Sequence, residues 1–127
     1  MRMLLIEDDP DDIELLQDVL SAQNISYEMD IANDGSAAVE YIKSHRALPD
    51  VIILDFNLPK IHGREVMLEI KSDPLFKDIP LIILTTSSAK EDMDYSYKNG
   101  ANKYLIKPNT LDGLHEVVNE IRKAVIK

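Results

Sequence analysis

The sequence contains no cysteine and no tryptophan, so it supports neither a disulfide framework nor a cysteine-based zinc site. Positive charge is scarce: 14 Lys and Arg stand against 23 Asp and Glu, a net charge of −9. A surface of that sign repels a polyanion unless a local basic stripe exists, and none is visible, so no nucleic-acid partner is expected. Long apolar runs are missing as well. The longest, Met3–Ile6, Val51–Leu54 and Leu81–Leu84, reach four residues, against the roughly 18 or more that a membrane span requires. The first of them passes straight into Glu7-Asp8-Asp9 with no small-residue cleavage site, so no secretory signal is expected either. What is present is 127 residues of mixed composition. A chain near this length removes about two thirds of its unfolded surface from water, enough for one domain over 1–127 and no second one.

The three apolar tetrads are rich in Val, Ile and Leu and bounded by polar or turn residues, as strands buried on both faces of a parallel sheet are. Two weaker strands are expected at Glu28–Ala32 and Lys103–Ile106. Between them, helical spacing covers Asp11–Gln23, Ser36–His45, Gly63–Ser72, Ala89–Asn99 (with Met93 and Tyr97 as its apolar face) and Thr110–Val125. Asp9 can cap the first helix with Pro10 at its first position, Asp34-Gly35 marks the turn into the second, and Asn99-Gly100 stops the fourth. The order is (βα)5. Crossovers of this length force parallel pairing and right-handed connections, giving an α/β doubly wound sheet whose ligands bind beyond the carboxyl ends of the strands.

That rim collects the chemistry. The first strand ends in Glu7-Asp8, the third in Asp55 with Asn57 close behind, the fourth in Thr85-Thr86 and the fifth in Lys107-Pro108. With the first and third strands adjacent, Glu7, Asp8 and Asp55 meet, and two unit charges about 5 Å apart at an effective dielectric near 20 repel by roughly 3 kcal/mol. A hard divalent cation, Mg2+, relieves that repulsion with oxygen ligands. Asp8 and Asp55 are the candidate direct ligands, Glu7 acts through water, and the Asn57 backbone carbonyl is a further oxygen. A carboxylate beside Mg2+, Lys107 and the Thr85 hydroxyl suits phosphoryl transfer through an aspartyl phosphate on Asp55.

Four segments in this order, Leu4-Leu5-Ile6-Glu7-Asp8-Asp9, Ile52-Ile53-Leu54-Asp55-Phe56-Asn57-Leu58-Pro59 with Gly63, Pro80-Leu81-Ile82-Ile83-Leu84-Thr85-Thr86, and Gly100-Ala101-Asn102-Lys103-Tyr104-Leu105-Ile106-Lys107-Pro108, resemble the response-regulator receiver domains of two-component signalling over the whole chain. The resemblance implies strand order 2-1-3-4-5 and a phosphoacceptor Asp55 served by the phosphohistidine of a sensor histidine kinase. Glu7 and Asp8 would be the acidic pair organising Mg2+, Thr85 the switch hydroxyl, Tyr104 the switch aromatic, and Lys107 the phosphate-pairing lysine before a cis peptide to Pro108. It also implies a cytoplasmic signalling protein rather than an enzyme, with at most slow self-dephosphorylation. Output would pass through the face of the fourth helix, fifth strand and fifth helix, to a downstream or relay protein or in a homodimer. The stretch from Asp55 to Pro59, the run Thr85–Ser88 and the paired tyrosines Tyr95 and Tyr97 are similar to single-domain regulators that serve bacterial phytochrome kinases. Thr86 departs from the commonest receivers, which carry a small residue there.

Other readings of the same residues are weaker. A haloacid-dehalogenase-type phosphatase also uses an Asp nucleophile, Mg2+, Thr and Lys, but needs a general acid where Asn57 stands. A flavodoxin-like carrier needs a phosphate-cradling loop where Glu7-Asp8-Asp9 would repel phosphate. A receiver that only docks partners, without phosphorylation, would have no use for the intact Glu7, Asp8, Asp55, Thr85 and Lys107 set. Asp9, Asp11 and Asp12 read as capping and solvated charges, His45 and His62 as exposed bystanders, and His115 with Asn119 falls one ligand short of a helical zinc motif. One of Tyr95 and Tyr97 is expected to face the core, and packing alone would also account for Tyr104.

Overall fold

The computed structural model describes residues 1–125. Its elements run β1 (Arg2–Ile6), α1 (Pro10–Ala22), β2 (Glu28–Ala32), α2 (Gly35–Ser44), β3 (Val51–Leu54), α3 (Gly63–Ser72), β4 (Leu81–Thr85), α4 (Lys90–Lys98), β5 (Lys103–Ile106) and α5 (Leu111–Val125). All strand pairs are parallel, in the order β2-β1-β3-β4-β5. Strand order reverses beside β1, between it and β3, the crevice where such sheets place ligands.

Alternation along each central strand divides the core in two. Leu4, Ile6, Ile52, Leu54, Leu81 and Ile83 pack toward α2 and α3. Met3, Leu5, Val51, Ile53, Ile82 and Leu84 pack toward α1 and α5. Each fully buried side chain of this size stabilises the fold by about 1.5–3 kcal/mol relative to exposure, which is why three tetrads suffice to anchor the sheet. The edge strands β2 and β5 are only partly covered.

Register places the rim. Ile6 pairs with Leu54, so Glu7 and Asp55, the first residues beyond β1 and β3, emerge side by side, and since Leu54 pairs with Ile83, β4 runs on beside them to end at Thr85. The ladder continues one step past the strand ends: Glu7 N–H donates to Ala32 O at 3.0 Å, Asp55 N–H to Ile6 O at 3.0 Å and Lys107 N–H to Thr85 O at 2.8 Å. Their backbones are therefore held as firmly as strand residues.

Caps fall where expected. Asp9 accepts from Asp11 N–H and Asp34 from Ala37 N–H, and Gly100 takes the left-handed conformation (φ 97°) that ends α4's last turn. Two expectations need correction. The histidines are not bystanders: His62 caps α3, accepting from Arg64 N–H, and His45 Nε2 lies 2.6 Å from Asp73 Oδ2 with its ring stacked on Phe76. In α4, Tyr97 does not face the core. It is 49% exposed, and its hydroxyl accepts a 3.0 Å hydrogen bond from Tyr104 N–H on the open edge of β5. Tyr95 is the tyrosine packed against the core, with the Arg64 guanidinium 4.7 Å from its ring centre.

Gly63 starts α3 against the back of the site. A Cβ there would lie 2.4 Å from Phe56 Cα and 2.7 Å from the Asp55 carbonyl oxygen, backbone atoms that cannot step aside. Gly63→Ala should cost about 1–3 kcal/mol through this overpacking, read as a lower urea midpoint at unchanged slope; an unaltered midpoint would show that the loop after Asp55 yields freely.

Candidate functional site

Glu7, Asp55 and Thr85 are buried to 4%, 3% and 0% exposure at the carboxyl rim, where burial of polar groups needs a reason. Strand ends deliver all three. β1 and β3 bring carboxylate oxygens of Glu7, Asp55 and the exposed Asp8 within 4.8 Å of one another, and β4 holds Thr85 alongside. Lys107 arrives from β5, with Nζ 2.6 Å from Glu7 Oε1, 2.7 Å from Asp12 Oδ2 and 2.8 Å from Asp55 Oδ2. The structure thus brings together Glu7, Asp8, Asp55, Thr85 and Lys107 and adds Asp12, which reads from sequence as a solvated helix charge. Helical turn geometry explains the addition: Asp12 lies on the face of α1 turned to the rim, whereas Asp9 spends its side chain on the cap.

Backbone amides hold the second oxygens of Glu7 and Asp55. Glu7 Oε2 accepts from Asp8 N–H at 3.0 Å and Asp9 N–H at 3.2 Å, and Asp55 Oδ1 from Asn57 N–H at 3.0 Å. Asn57 Nδ2 donates to Thr86 Oγ1 at 3.2 Å and Thr85 Oγ1 at 3.4 Å, so this side chain bridges the loops after β3 and β4. Tyr104 is buried, and its hydroxyl donates to Ser87 O at 2.8 Å while its ring meets Phe56 edge-on. Ser87 Oγ donates to Asp92 Oδ2 at 2.6 Å, and Arg64 grips Asp92 Oδ1. This Arg64–Asp92–Ser87 chain went unseen in sequence, since no spacing joins α3 to the start of α4. The Lys107–Pro108 peptide is trans, not cis, the form X-Pro bonds favour by about 0.5–1 kcal/mol.

Three carboxylates, those of Glu7, Asp12 and Asp55, share the Lys107 ammonium, and Asp8 adds a fourth acid beside them. Burial, reinforced by the Asp55 charge, pushes the Glu7 carboxyl up to about 7, against the opposing hydrogen bond from Lys107. Burial works against the Lys107 charge too, but the bonds to Asp12, Asp55 and Glu7 outweigh it and its pKa is raised. Asp92 is held below the usual range, first by the Ser87 hydroxyl and then by Arg64. An all-oxygen trio with an excess of negative charge fits a hard divalent cation: Glu7, Asp8 and Asp55 would hold it.

The sign of the Glu7 shift fixes a pH dependence. The folded state keeps its proton up to about 7, while the unfolded chain releases it near the ordinary 4.5. Between those values the folded state binds more protons, so Glu7 makes stability fall as pH rises. In chelator-treated samples the melting temperature should drop from pH 5 to pH 7.5, Glu7→Gln should flatten that drop, and millimolar Mg2+ should restore the wild type at pH 7.5 through preferential binding to the folded state. A slope unchanged by Glu7→Gln would assign the dependence to other groups.

The model of the response regulator receiver domain family matches residues 3–119. The chain is 40% identical over 124 residues to response regulator Rcp1 of Synechocystis sp., covering 94% of this chain and 84% of that protein. Among solved structures, it resembles the phosphorylated cyanobacterial phytochrome response regulator RcpA with a TM-score of 0.87 and 38% identity, over 96% of this chain and 91% of that one. The Mn2+-bound form of Rcp1 matches with a TM-score of 0.86 and 39% identity, over the same shares of the two chains. With the sheet order, the acid trio and Lys107 placed as described, the chain belongs to the response regulator receiver domain family.

Proposed function

We propose that Asp55 accepts a phosphoryl group from the phosphohistidine of a sensor histidine kinase and that the chain is a signalling switch. The observation that carries this reading is a buried Asp55 whose two oxygens are each held in place, Oδ1 by the Asn57 amide and Oδ2 by Lys107, at the rim where Glu7 and Asp8 converge. An Asp55 oxygen attacks phosphorus, the P–N bond to the imidazole breaks, and the imidazole leaves with that electron pair. Lys107 keeps a positive charge beside the incoming phosphoryl oxygens, which the surrounding acids would otherwise repel. Glu7, Asp8 and Asp55, with the Asn57 carbonyl as a further oxygen, would hold a divalent cation, which would supply additional charge compensation.

Thr85 is the side chain that turns toward the new phosphoryl group. Its hydroxyl sits in weak 3.4 Å contacts with Asn57 Nδ2 and Ser87 N–H, which are cheap to exchange for a charged acceptor. Movement of Thr85 shifts the segment carrying Ser87 O, the acceptor of the Tyr104 hydroxyl, and thereby α4 and β5. The output face is α4, β5 and α5, where Tyr97, Ile106 and Leu111 are exposed. In this reading a downstream or relay protein, or a second copy, docks there. Relatives named as phytochrome response regulators support a phytochrome-type kinase as donor, and in this reading the pair works in the cytoplasm. In this reading the chain is a phosphoacceptor and not an enzyme, with at most slow self-dephosphorylation. Among the described residues no helix is long and apolar enough to cross a membrane.

Incubation with Mg2+ and acetyl phosphate should add one phosphoryl group to the intact mass, and Asp55→Asn should abolish the gain. A phytochrome-type kinase preloaded with phosphate should transfer it faster than the small donor does. Wild-type protein that stays unmodified under saturating donor and Mg2+ would refute the reading.

A further inference from the structure

One carboxylate in the nest has no task in the phosphoacceptor chemistry. Asp12 belongs to the first turn of α1, and the 2.7 Å contact it gives Lys107 Nζ is as short as those from Glu7 and Asp55. Three acceptors occupy all three ammonium protons. The three are not equivalent. Glu7 and Asp55 are members of the trio whose oxygens converge for a metal, and Asp12 stands outside it. Asp11, with the same charge in the same turn, forms no ion pair among the described residues.

A cation in the trio would draw the lone pairs of Glu7 and Asp55 and would repel an ammonium at such short range. Lys107 has nowhere else to go on its inner side. A small cavity of about 50 Å³ lies there between α1 and α5, walled by Leu15, Leu16, Leu84 and Leu114, and the only side-chain acceptors lining it are Glu7 and Asp12 themselves. We propose that Asp12 is a positioning residue that keeps Lys107 in the site while a divalent cation occupies Glu7, Asp8 and Asp55, so that both positive charges are present together when the phosphoryl group arrives. The inference rests on the metal-assisted reading above, yet its test needs no phosphorylation.

Mg2+ is titrated calorimetrically into the wild type, Asp12→Ala and Asp11→Ala, and into the first and second of these combined with Lys107→Met. Asp12→Ala should weaken Mg2+ binding by about fivefold more than Asp11→Ala, because Lys107 must then share Glu7 and Asp55 with the metal, and interactions of this kind appear as non-additivity in such cycles. With Lys107→Met the Asp12→Ala effect should shrink to that of Asp11→Ala, a charge effect alone. Equal losses in the two single variants, or a loss undiminished by Lys107→Met, would overturn the proposal. If melting shows Asp12→Ala unfolded, Asp12→Asn replaces it under the same criteria. A wild type that binds no Mg2+ overturns the metal reading itself, whereas normal Mg2+ binding without acceptance of phosphate overturns only the phosphoacceptor function.

Discussion

Lys107 stands within 2.8 Å of three carboxylates, one of them the 3%-exposed Asp55 and another the 4%-exposed Glu7. Taking such charges out of water costs several kcal/mol for each ion, and mutual attraction only partly offsets that cost. A cluster with four acids and one base carries excess negative charge, and burial, reinforced by the Asp55 charge, raises the pKa of Glu7. The cluster therefore weakens the fold, and the two apolar layers on either side of the sheet must supply the stability that it removes. A site arranged this way gains when a cation binds, and, in the proposed reaction, when Lys107 pairs with phosphoryl oxygens on Asp55.

The fold could be read from the residues because its main signals are local. Each of the three apolar tetrads is long enough to span the sheet and too short for anything else, and β3 came out with the bounds expected of it. Capping chemistry located α1 and α2 because Asp9 and Asp34 act within a few residues of themselves. The misreading of α4 has a physical cause. Its one buried residue is Ser96, whose hydroxyl bonds back to Asp92 O, so polar bonds stand where an apolar stripe would normally declare the inward face. Spacing nominated Tyr97, and the structure uses that residue to satisfy a backbone donor on the open edge of β5 instead.

The site was readable to the extent that strand ends make it. Glu7, Asp8, Asp55, Thr85 and Lys107 each follow or close a strand, and once the order of strands is known the register brings them together. Asp12 and Arg64 act from helix faces instead, and a helix face can be assigned only after its packing partner is known. An acidic first turn is ordinary helix chemistry, which concealed Asp12 among Asp9 and Asp11. Arg64 and Asp92 are separated by a whole strand, and nothing short of the packed structure joins them.

The same weakness in apolar burial makes α4 easier to displace than α3, as the proposed switch requires. α3 buries Val66, Met67 and Ile70, each worth about 1.5–3 kcal/mol, so displacing it would cost more than one charged hydrogen bond at the rim can supply. α4 is tied by Asp92 to Arg64 and Ser87, by Tyr97 to Tyr104, and by part-buried Met93 and Tyr95. Polar ties of this kind contribute about 1 kcal/mol or somewhat more apiece and can be exchanged for water or for one another at little net cost. The end of this network nearest Asp55 is the Thr85 hydroxyl, and the other end is the exposed face. In the proposed switch, an event worth a few kcal/mol at Asp55 would thus be matched to α4, whose attachment is of that size, while the buried strands beneath the acids are held by far more apolar burial.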